Sequence, residues 1–336
     1  MNLLINLNNK NIIDSKLFFN YSNLIKLIFS LFYSFILIFL IPVDGSILDR
    51  ANYLEYAGTS EVIILRNISS GLLPFIVNEP IWLLINIFFN QFVQPEVTVR
   101  IIIFFASFVS CILILKSNSK HLLILFIILL FPNVLIKYII HLRQGLAVSF
   151  FLLGWFSSKK NTRLILYFIS PLIHSSFFIV LVLYILSKIV QNIKISNELS
   201  FILVVIFGLI TSFMISNVSI FLGARQGEEY NFNIIQVSGI GFLFWTLIYI
   251  IFSLQGKSFI KNHHFELSIL IFYLSTYFFL DVTGRIFESV VILILLAGID
   301  LTKWRKLAFL YAVTAFVSIS WILNYNKSWF GWGLDF

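Results

Sequence analysis

Residues 99–115 read VRIIIFFASFVSCILIL, and Lys116 follows them directly. An apolar run of this length predicts a helix that crosses a lipid bilayer, since about 20 apolar residues span its hydrocarbon core. Similar runs recur along the chain, which is 60% hydrophobic and 11% charged, with a mean hydropathy of +0.98. Soluble domains carry about 25% charged residues. The composition therefore excludes a water-soluble protein and predicts an all-α, polytopic transmembrane helical bundle.

The apolar runs predict about nine to eleven spans. No small-residue cleavage site follows the run at 24–43, which favours a retained span over a signal peptide. The later runs are 99–115, 121–140, 142–157, 199–222, 234–254, 266–281, 284–300 and 304–323. The predicted organisation is a cytoplasmic tail (1–23), a single transmembrane domain (24–323) with outer loops at 44–79 and 223–233, and an outer-face tail (324–336).

Positive residues set the orientation of the spans, because cytoplasmic loops are enriched in lysine and arginine. All the Lys-rich connections can lie on the cytoplasmic side only if two stretches do not make a simple crossing of the membrane. Residues 80–93 are predicted to form a shallow or re-entrant segment. Residues 164–187, interrupted by Pro171 and His174, are predicted to form a broken or re-entrant helical hairpin. Such backbone is tolerated at membrane depth where protein or water covers it. The alternative is that both stretches are simple spans.

The cations differ in type across the predicted membrane. Of the fifteen predicted inside, thirteen are lysines, and of the eight predicted outside, six are arginines. The inner lysines explain most of the net charge of +8, which in a soluble chain would indicate nucleic-acid binding. A guanidinium offers a planar fork of donors that suits phosphate or carboxylate. An anion site on the outer side is therefore predicted from Arg50, Arg66, Arg100, Arg143, Arg225 and Arg285.

Two polar segments at the ends of apolar runs are candidates for chemistry. Glu79 precedes Pro80, where it serves either as a helix cap or in catalysis. Arg143 opens the run at 142–157, close to Lys137 and His141. Because a helix N-terminus disfavours a cation, a bound anion is a better explanation for Arg143 than anchoring to lipid phosphate.

Further candidates lie later in the chain. His174 is costly in an apolar run, so it is either a hydrogen-bonded core residue or part of a site that faces a cavity. Asp281, Arg285 and Glu288 have the spacing of one helical face, which predicts an internal ion pair, a positioned Arg285, or both. Arg225 lies in an outer loop and is an additional candidate.

Motifs for nucleotide and metal chemistry are absent from the sequence. There is no Walker A loop, no Gly-rich dinucleotide fingerprint and no HExxH. His263-His264 lies in a predicted cytoplasmic loop without further ligand candidates. The sequence therefore predicts no metal site and no cofactor.

Several of these residues recur with a characteristic spacing. They are Asp49, Tyr53 and Tyr56; Glu79-Pro80-Ile-Trp-Leu-Leu-Ile-Asn86; Arg143-Gln-Gly-Leu-Ala; Ile173-His174-Ser-Ser; and Arg285. Together they resemble the EpsG family of exopolysaccharide polymerases over about residues 45–320. Glu288 departs from the family pattern, in which an aromatic residue is expected.

The resemblance implies a Wzy-like glycosyltransferase of the cytoplasmic (inner) membrane. Such an enzyme joins undecaprenyl-pyrophosphate-linked oligosaccharide repeat units, on the outer face, into O-antigen, capsule or exopolysaccharide. Its partners would be the lipid-linked oligosaccharide, the lipid bilayer and a chain-length regulator protein, and not nucleic acid. Without a metal, arginines would stabilise the pyrophosphate, and Glu79 or His174 would be the general base. The implied catalytic residues are His174, Glu79, Arg143 and Arg285, and the implied substrate-binding residues are Arg50, Tyr53, Arg225, Asp281 and His141.

Other classes of function remain open at this point. A flippase for lipid-linked oligosaccharides also needs a cationic cavity, but more often has internal repeats and mid-span acids. A membrane O-acyltransferase needs a histidine near the cytoplasmic face, where only His263 and His264 qualify. A purely structural subunit does not account for the outer arginines.

Overall fold

The computed structural model describes residues 21–224 and 239–327, and every regular element in these ranges is helical. The described residues contain seventeen α-helices and short 3-10 helices at Ser119–His121 and Gly298–Asp300. The predicted all-α class is thus confirmed. The chain divides into two compact units, and the single transmembrane domain at 24–323 stays a prediction.

Among the described residues, the first unit comprises 21–175 and 319–327. Within it, α5 packs against α1, α2 and α8, and α8 also packs against α9. Most residues in the middle of α5 are apolar and buried, which suits a central helix. The helices are α1 (Tyr21–Leu40), α2 (Arg50–Ser69), α3 (Leu72–Val77), α4 (Pro80–Asn90), α5 (Pro95–Ser117), α6 (Leu122–Leu129), α7 (Pro132–Ile139), α8 (Leu142–Trp155) and α9 (Lys160–Ile173).

The second unit comprises Ser176–Ser318. Its centre is α14, against which α10, α11 and α12 pack. Almost every residue of α14 is buried, including its first residue, His264. The helices are α10 (Ser176–Ile193), α11 (Asn197–Phe221), α12 (Ile240–Ser253), α13 (Lys257–Asn262), α14 (His264–Thr276), α15 (Thr283–Glu288), α16 (Val291–Ala297) and α17 (Lys303–Asn324), of which α17 continues past the end of this unit.

Five helices are long and apolar enough to cross a membrane, namely α1, α5, α10, α11 and α17. The pair α6 and α7 would make a sixth span, bent by 54° where Pro132 begins α7. Other predicted spans correspond to helices of 13 or 14 residues, α8, α12 and α14. At about 1.5 Å per residue these are shorter than the ~30 Å hydrocarbon core. The run at 284–300 is broken between α15 and α16.

The irregular stretches of the sequence have defined structures. The predicted break within 164–187 is present at His174 and Ser175, between α9 and α10. However, α10 is long enough to cross a membrane alone, so re-entry at this break stays a prediction. Residues 80–90 form the short helix α4. The stretch 44–79, predicted to be an outer loop between spans, contains α2 and α3. One face of α2 is buried in the first unit.

Candidate functional site

An ion pair joins two segments that lie 64 residues apart in the sequence. Arg143 Nη1 donates to Glu79 Oε2 at 2.5 Å, and the side chains are 17% and 9% exposed. The second carboxylate oxygen, Oε1, accepts from the backbone N–H of Ser175 at 3.1 Å. The same oxygen lies 4.0 Å from His174 Nδ1. Three of the four residues predicted to be catalytic therefore meet within the first unit.

Glu79 is positioned by its backbone at the start of α4. It has φ 60° and ψ 54°, the left-handed region in which residues other than glycine are uncommon. Pro80 follows as the first helical residue, as predicted. The Glu79 side chain makes no capping hydrogen bond to α4. Glu79 is thus the N-cap residue of α4 through its backbone, as considered from the sequence, while both carboxylate oxygens bind groups outside α4.

Arg143 is the second residue of α8, a position where the helix dipole disfavours a cation. The Glu79 carboxylate provides the compensating negative charge. The corner between α7 and α8 sets the position of this helix end, because Gly145 packs directly against the backbone carbonyl of Lys137. A Cβ at residue 145 would clash with that oxygen, so glycine is required for the close approach.

Aromatic side chains from α2 and α4 surround the guanidinium. Arg143 Cζ lies 5.5 Å from the centroid of the Tyr56 ring, a cation–π arrangement. The Tyr53 hydroxyl also lies beside Arg143. Trp82 packs edge-on against both tyrosines, with centroid distances of 5.7 Å and 6.3 Å. These buried rings exclude water, which strengthens the attraction between Arg143 and Glu79.

The surroundings of Glu79 keep its carboxylate ionised. Burial by itself raises the pKa of Glu79, but Arg143, His174 and the Ser175 N–H together hold that pKa below its ordinary value. Glu79 lies outside the five helices that are long enough to span a membrane. At neutral pH it is therefore a fixed negative charge whose two oxygens are already engaged, which makes it a weak proton acceptor.

Arg50 is a second buried cation of the first unit. Its side chain is fully buried, and Nη2 donates to the Ile139 carbonyl at the end of α7 at 2.6 Å. Nε and Nη1 have no hydrogen-bond partner in the described part of the chain. Burial lowers the pKa of Arg50 to about 10, so the side chain stays charged at neutral pH. Tyr53 lies within electrostatic reach of both Arg50 and Arg143.

A family model identifies the chain. The model of the EpsG family matches residues 51–332, a range that contains Glu79, Arg143 and His174. The chain belongs to the EpsG family. Neither a curated protein nor a solved structure matches it. Membership indicates that this EpsG-family chain is a multi-pass membrane protein of the polysaccharide polymerase type.

The other site residues predicted for this EpsG-family chain are His141, Arg225, Asp281 and Arg285. His141 directly precedes α8, and its N–H donates to the Ile136 carbonyl at 3.0 Å. Arg225 lies outside the described residues. Asp281 and Arg285 belong to the second unit, where both are exposed.

Asp281, Arg285 and Glu288 would share one helical face only in a continuous helix, and the helix does not extend to Asp281. The helix α15 begins only at Thr283, so Asp281 lies in the preceding turn. A spacing of four residues places two side chains on one face only if the helix is continuous between them. Arg285 and Glu288 do share α15.

Sequence reasoning missed one group of titratable residues in the EpsG-family chain. His263, predicted to have no ligand candidates nearby, lies 3.3 Å from Asp300 Oδ2 through Nε2 and 3.6 Å from Glu266 Oε1 through Nδ1. Asp300 lies 37 residues later in the numbering, at the end of a 3-10 helix, so spacing alone did not indicate the contact. In the described ranges, no group of three or more His, Cys, Asp or Glu residues has a geometry that could hold a metal ion.

The His263 contacts predict that the protein loses stability at alkaline pH. Burial alone lowers the pKa of His263, but Asp300 and Glu266 raise it to about 9. Because the folded pKa exceeds the unfolded value of about 6.5, this stabilisation is complete below pH ~6.5 and is lost as pH rises through about 9. We expect a loss of about 1–3 kcal/mol. The measurement is the thermal unfolding midpoint of the purified protein at pH 6.5 and 9.5.

Variants of His263 separate this effect from general alkaline destabilisation. His263→Gln is expected to be less stable than wild type at pH 6.5 and to lose less stability between the two pH values. Asp300→Asn is expected to reproduce part of this change, because the exposed Asp300 contributes only one of the two contacts. Parallel pH curves for wild type and His263→Gln would contradict the prediction.

Proposed function

We propose that this chain polymerises undecaprenyl-pyrophosphate-linked oligosaccharide repeat units on the outer face of the cytoplasmic membrane. Membership of the EpsG family supports a polymerase-type role. The donor is a growing chain on its lipid carrier, and the acceptor is a sugar hydroxyl of a new repeat unit. The product is one part of a surface polysaccharide.

The proposed step is one substitution at the anomeric carbon of the donor. The acceptor oxygen forms a bond to that carbon while the bond from the carbon to the pyrophosphate oxygen breaks. The leaving group is undecaprenyl pyrophosphate, whose developing negative charge requires cations. The proton of the acceptor hydroxyl passes to a general base.

The observation that carries this proposal is the hydrogen bonding of the Arg143 guanidinium. Nη1 is held by Glu79, yet Nε has no hydrogen-bond partner in the part of the chain that is described. The guanidinium is thus held by Glu79 beside the Tyr53 hydroxyl, and its Nε retains a donor in a buried aromatic setting. Charge-assisted bonds from arginine to phosphate are strong, and low dielectric strengthens them further. Arg50, whose Nε and Nη1 have no hydrogen-bond partner among the described residues, is the proposed second cation.

The same geometry distinguishes between the two candidate bases. Glu79 accepts from both Arg143 and Ser175, so its oxygens are occupied. His174 lies at the C-terminal end of α9, where the helix dipole favours a positive charge, and 4.0 Å from the Glu79 carboxylate. We therefore assign the base to His174 and an orienting role to Glu79. The EpsG resemblance also assigns Arg285 to the pyrophosphate, and its role is a separate target for mutagenesis.

The function is tested with substrate made by cells that lack this protein. Deletion cells are expected to accumulate lipid-linked single repeat units and to lose long surface polysaccharide. The purified full-length chain, reconstituted in vesicles with those extracted units, is expected to lengthen them and to release undecaprenyl pyrophosphate in equal amount. This design does not require the sugar composition to be known.

The same experiment separates the alternative functions. A flippase would leave the units on the cytoplasmic leaflet of deletion cells, and the purified chain would not lengthen them. An O-acyltransferase would leave polymer length unchanged while acyl groups disappear. Either result would contradict the proposed polymerase.

A further inference from the structure

A groove of about 670 Å³ opens in the second unit between α11 and α12. Both helices pack against α14, which forms the floor through Ile271 and Leu274. Val205 of α11 and Tyr249 of α12 line opposite walls. Binding sites for small molecules have similar volumes and are mostly apolar. Eight of its ten lining residues are apolar or aromatic, so the groove suits a hydrocarbon chain.

The walls approach the floor closely at one end of the groove. A Cβ at Gly208 would lie 2.8 Å from Ser275 Oγ, and one at Gly241 would lie 3.2 Å from the Tyr273 hydroxyl oxygen. The lining residues of α11 run from Ile206, near this end, back to Glu198, which lies eight residues earlier. Eight residues of helix rise by about 12 Å. This length is close to half of the ~30 Å hydrocarbon core, which is the depth of one leaflet.

Two exposed lysines lie at the Glu198 end. Lys257 is within electrostatic reach of Glu198. Lys188 is within electrostatic reach of His264, whose ring stacks on the lining residue Phe201 with a centroid distance of 5.4 Å. Glu266 is also within electrostatic reach of His264, but it is paired with His263, which is protonated at neutral pH. The remaining groups are the Glu198 carboxylate and two ammonium groups, so this end carries a net positive charge. The groove therefore has an apolar length and a cationic end, which complements an anionic amphiphile.

We infer that this groove binds an anionic phospholipid of the cytoplasmic leaflet. One acyl chain lies between α11 and α12 above α14, and the phosphate lies at Lys188 and Lys257. The orientation follows from the sequence, which predicts that both lysines are cytoplasmic. Lysines at a membrane surface attract anionic lipids.

The depth and the side of the groove favour a phospholipid over the lipid carrier of the proposed reaction. The groove is one leaflet deep, and its cationic end is predicted to face the cytoplasm. The proposed polymerase reaction takes place on the outer face. This inference therefore does not depend on the proposed function.

The test is native mass spectrometry of the full-length protein in detergent, titrated with phosphatidylglycerol or phosphatidylcholine. Wild type is expected to retain one phosphatidylglycerol at least tenfold more tightly than phosphatidylcholine. Val205→Trp fills the groove and is expected to weaken phosphatidylglycerol binding at least tenfold. Ile210→Trp, at an exposed position of the same helix, is the matched control and is expected to bind like wild type.

The head-group contacts are tested by charge removal. Lys188→Gln with Lys257→Gln is expected to abolish the preference for phosphatidylglycerol while leaving binding of the acyl chain. Lys261→Gln, on the same short helix as Lys257, is the control. Cross-linking of wild type with phosphatidylglycerol that carries a photoreactive acyl chain is expected to label residues 198–206 and 271–275. This experiment uses only the wild-type protein, so it does not depend on the folding of a variant.

Three results would overturn the inference. One is phosphatidylglycerol binding by Val205→Trp that equals that of wild type. Another is labelling by the photoreactive lipid that avoids both lining segments. The third is displacement of phosphatidylglycerol by an equal concentration of undecaprenyl phosphate, which would assign the groove to the lipid carrier.

Discussion

Arg143→Ala is expected to reduce polymer formation at least ~100-fold, the range found when a donor to a developing oxyanion is removed. The measurement is the length distribution of surface polysaccharide in deletion cells that express the variant. The reason is that Arg143 is ionised, held by Glu79 at 2.5 Å and packed over Tyr56. A truncated side chain leaves no cation at that point to bind pyrophosphate.

Loss of Arg143 also removes the arginine paired with the buried Glu79 carboxylate, and breaking a buried ion pair costs about 3–5 kcal/mol of stability. The double variant Arg143→Gln with Glu79→Gln removes both charges and is expected to unfold at a higher temperature than Arg143→Ala. It is nevertheless expected to make no polymer. Arg143→Lys keeps the charge but loses the planar fork, so partial activity is expected.

A matched control comes from another arginine of the first unit. Arg163 of α9 donates to the Ser157 carbonyl at 2.7 Å and lies on the predicted cytoplasmic side. Arg163→Ala is expected to leave polymer length unchanged. If the double variant makes full-length polymer at normal protein levels, Arg143 is only a structural partner of Glu79 and does not bind the pyrophosphate.

The sequence predicted the residue types of the site because charges at the ends of apolar runs are rare and costly. The position of Arg143 at a helix N-terminus also indicated that an anion must be nearby. That this anion is Glu79 could not be read from the sequence, because 64 residues separate the two. The Ser175 N–H, which binds the same carboxylate, is a backbone group and carries no sequence signal.

The helix α2 was missed for a related physical reason. Its buried face includes Arg50, Ser60 and Asn67 as well as aromatic residues, so it lacks the apolar stripe by which helices are recognised. Polar residues on a buried face must form contacts with other segments, as Arg50 does with Ile139. The predicted outer loop therefore contains the helix that carries Tyr53 and Tyr56 to Arg143.

Span boundaries were least predictable at short breaks inside long hydrophobic runs. Between α15 and α16 only Ser289 and Val290 separate the two helices, and the run at 284–300 was predicted as one span although α15 carries Arg285 and Glu288. In contrast, His174 marked a true break, because a histidine in an apolar run needs polar partners. Pro171, also predicted to interrupt this run, lies inside α9, and the bend at Pro132 falls within a run that was predicted as a single span.

His174→Ala is expected to lower the rate of polymerisation by about 10²–10⁴, the usual contribution of a general base. The assay is the release of undecaprenyl pyrophosphate by the purified protein with lipid-linked units from deletion cells. His174 is assigned this role because Glu79, the other candidate, is ionised and accepts from both Arg143 and the Ser175 N–H.

A structural role for His174 would produce a different set of results. If His174 accepts the proton, the wild-type rate falls on the acid side of the pH profile, and His174→Gln loses this limb while its residual rate stays flat. Added imidazole is expected to restore part of the activity of His174→Ala, because it replaces the proton acceptor but cannot replace a packing contact. Glu79→Gln is expected to lower the rate without removing the acid limb, because Glu79 only orients the base. A pH profile of His174→Gln that follows wild type, without rescue by imidazole, would exclude His174 as the base.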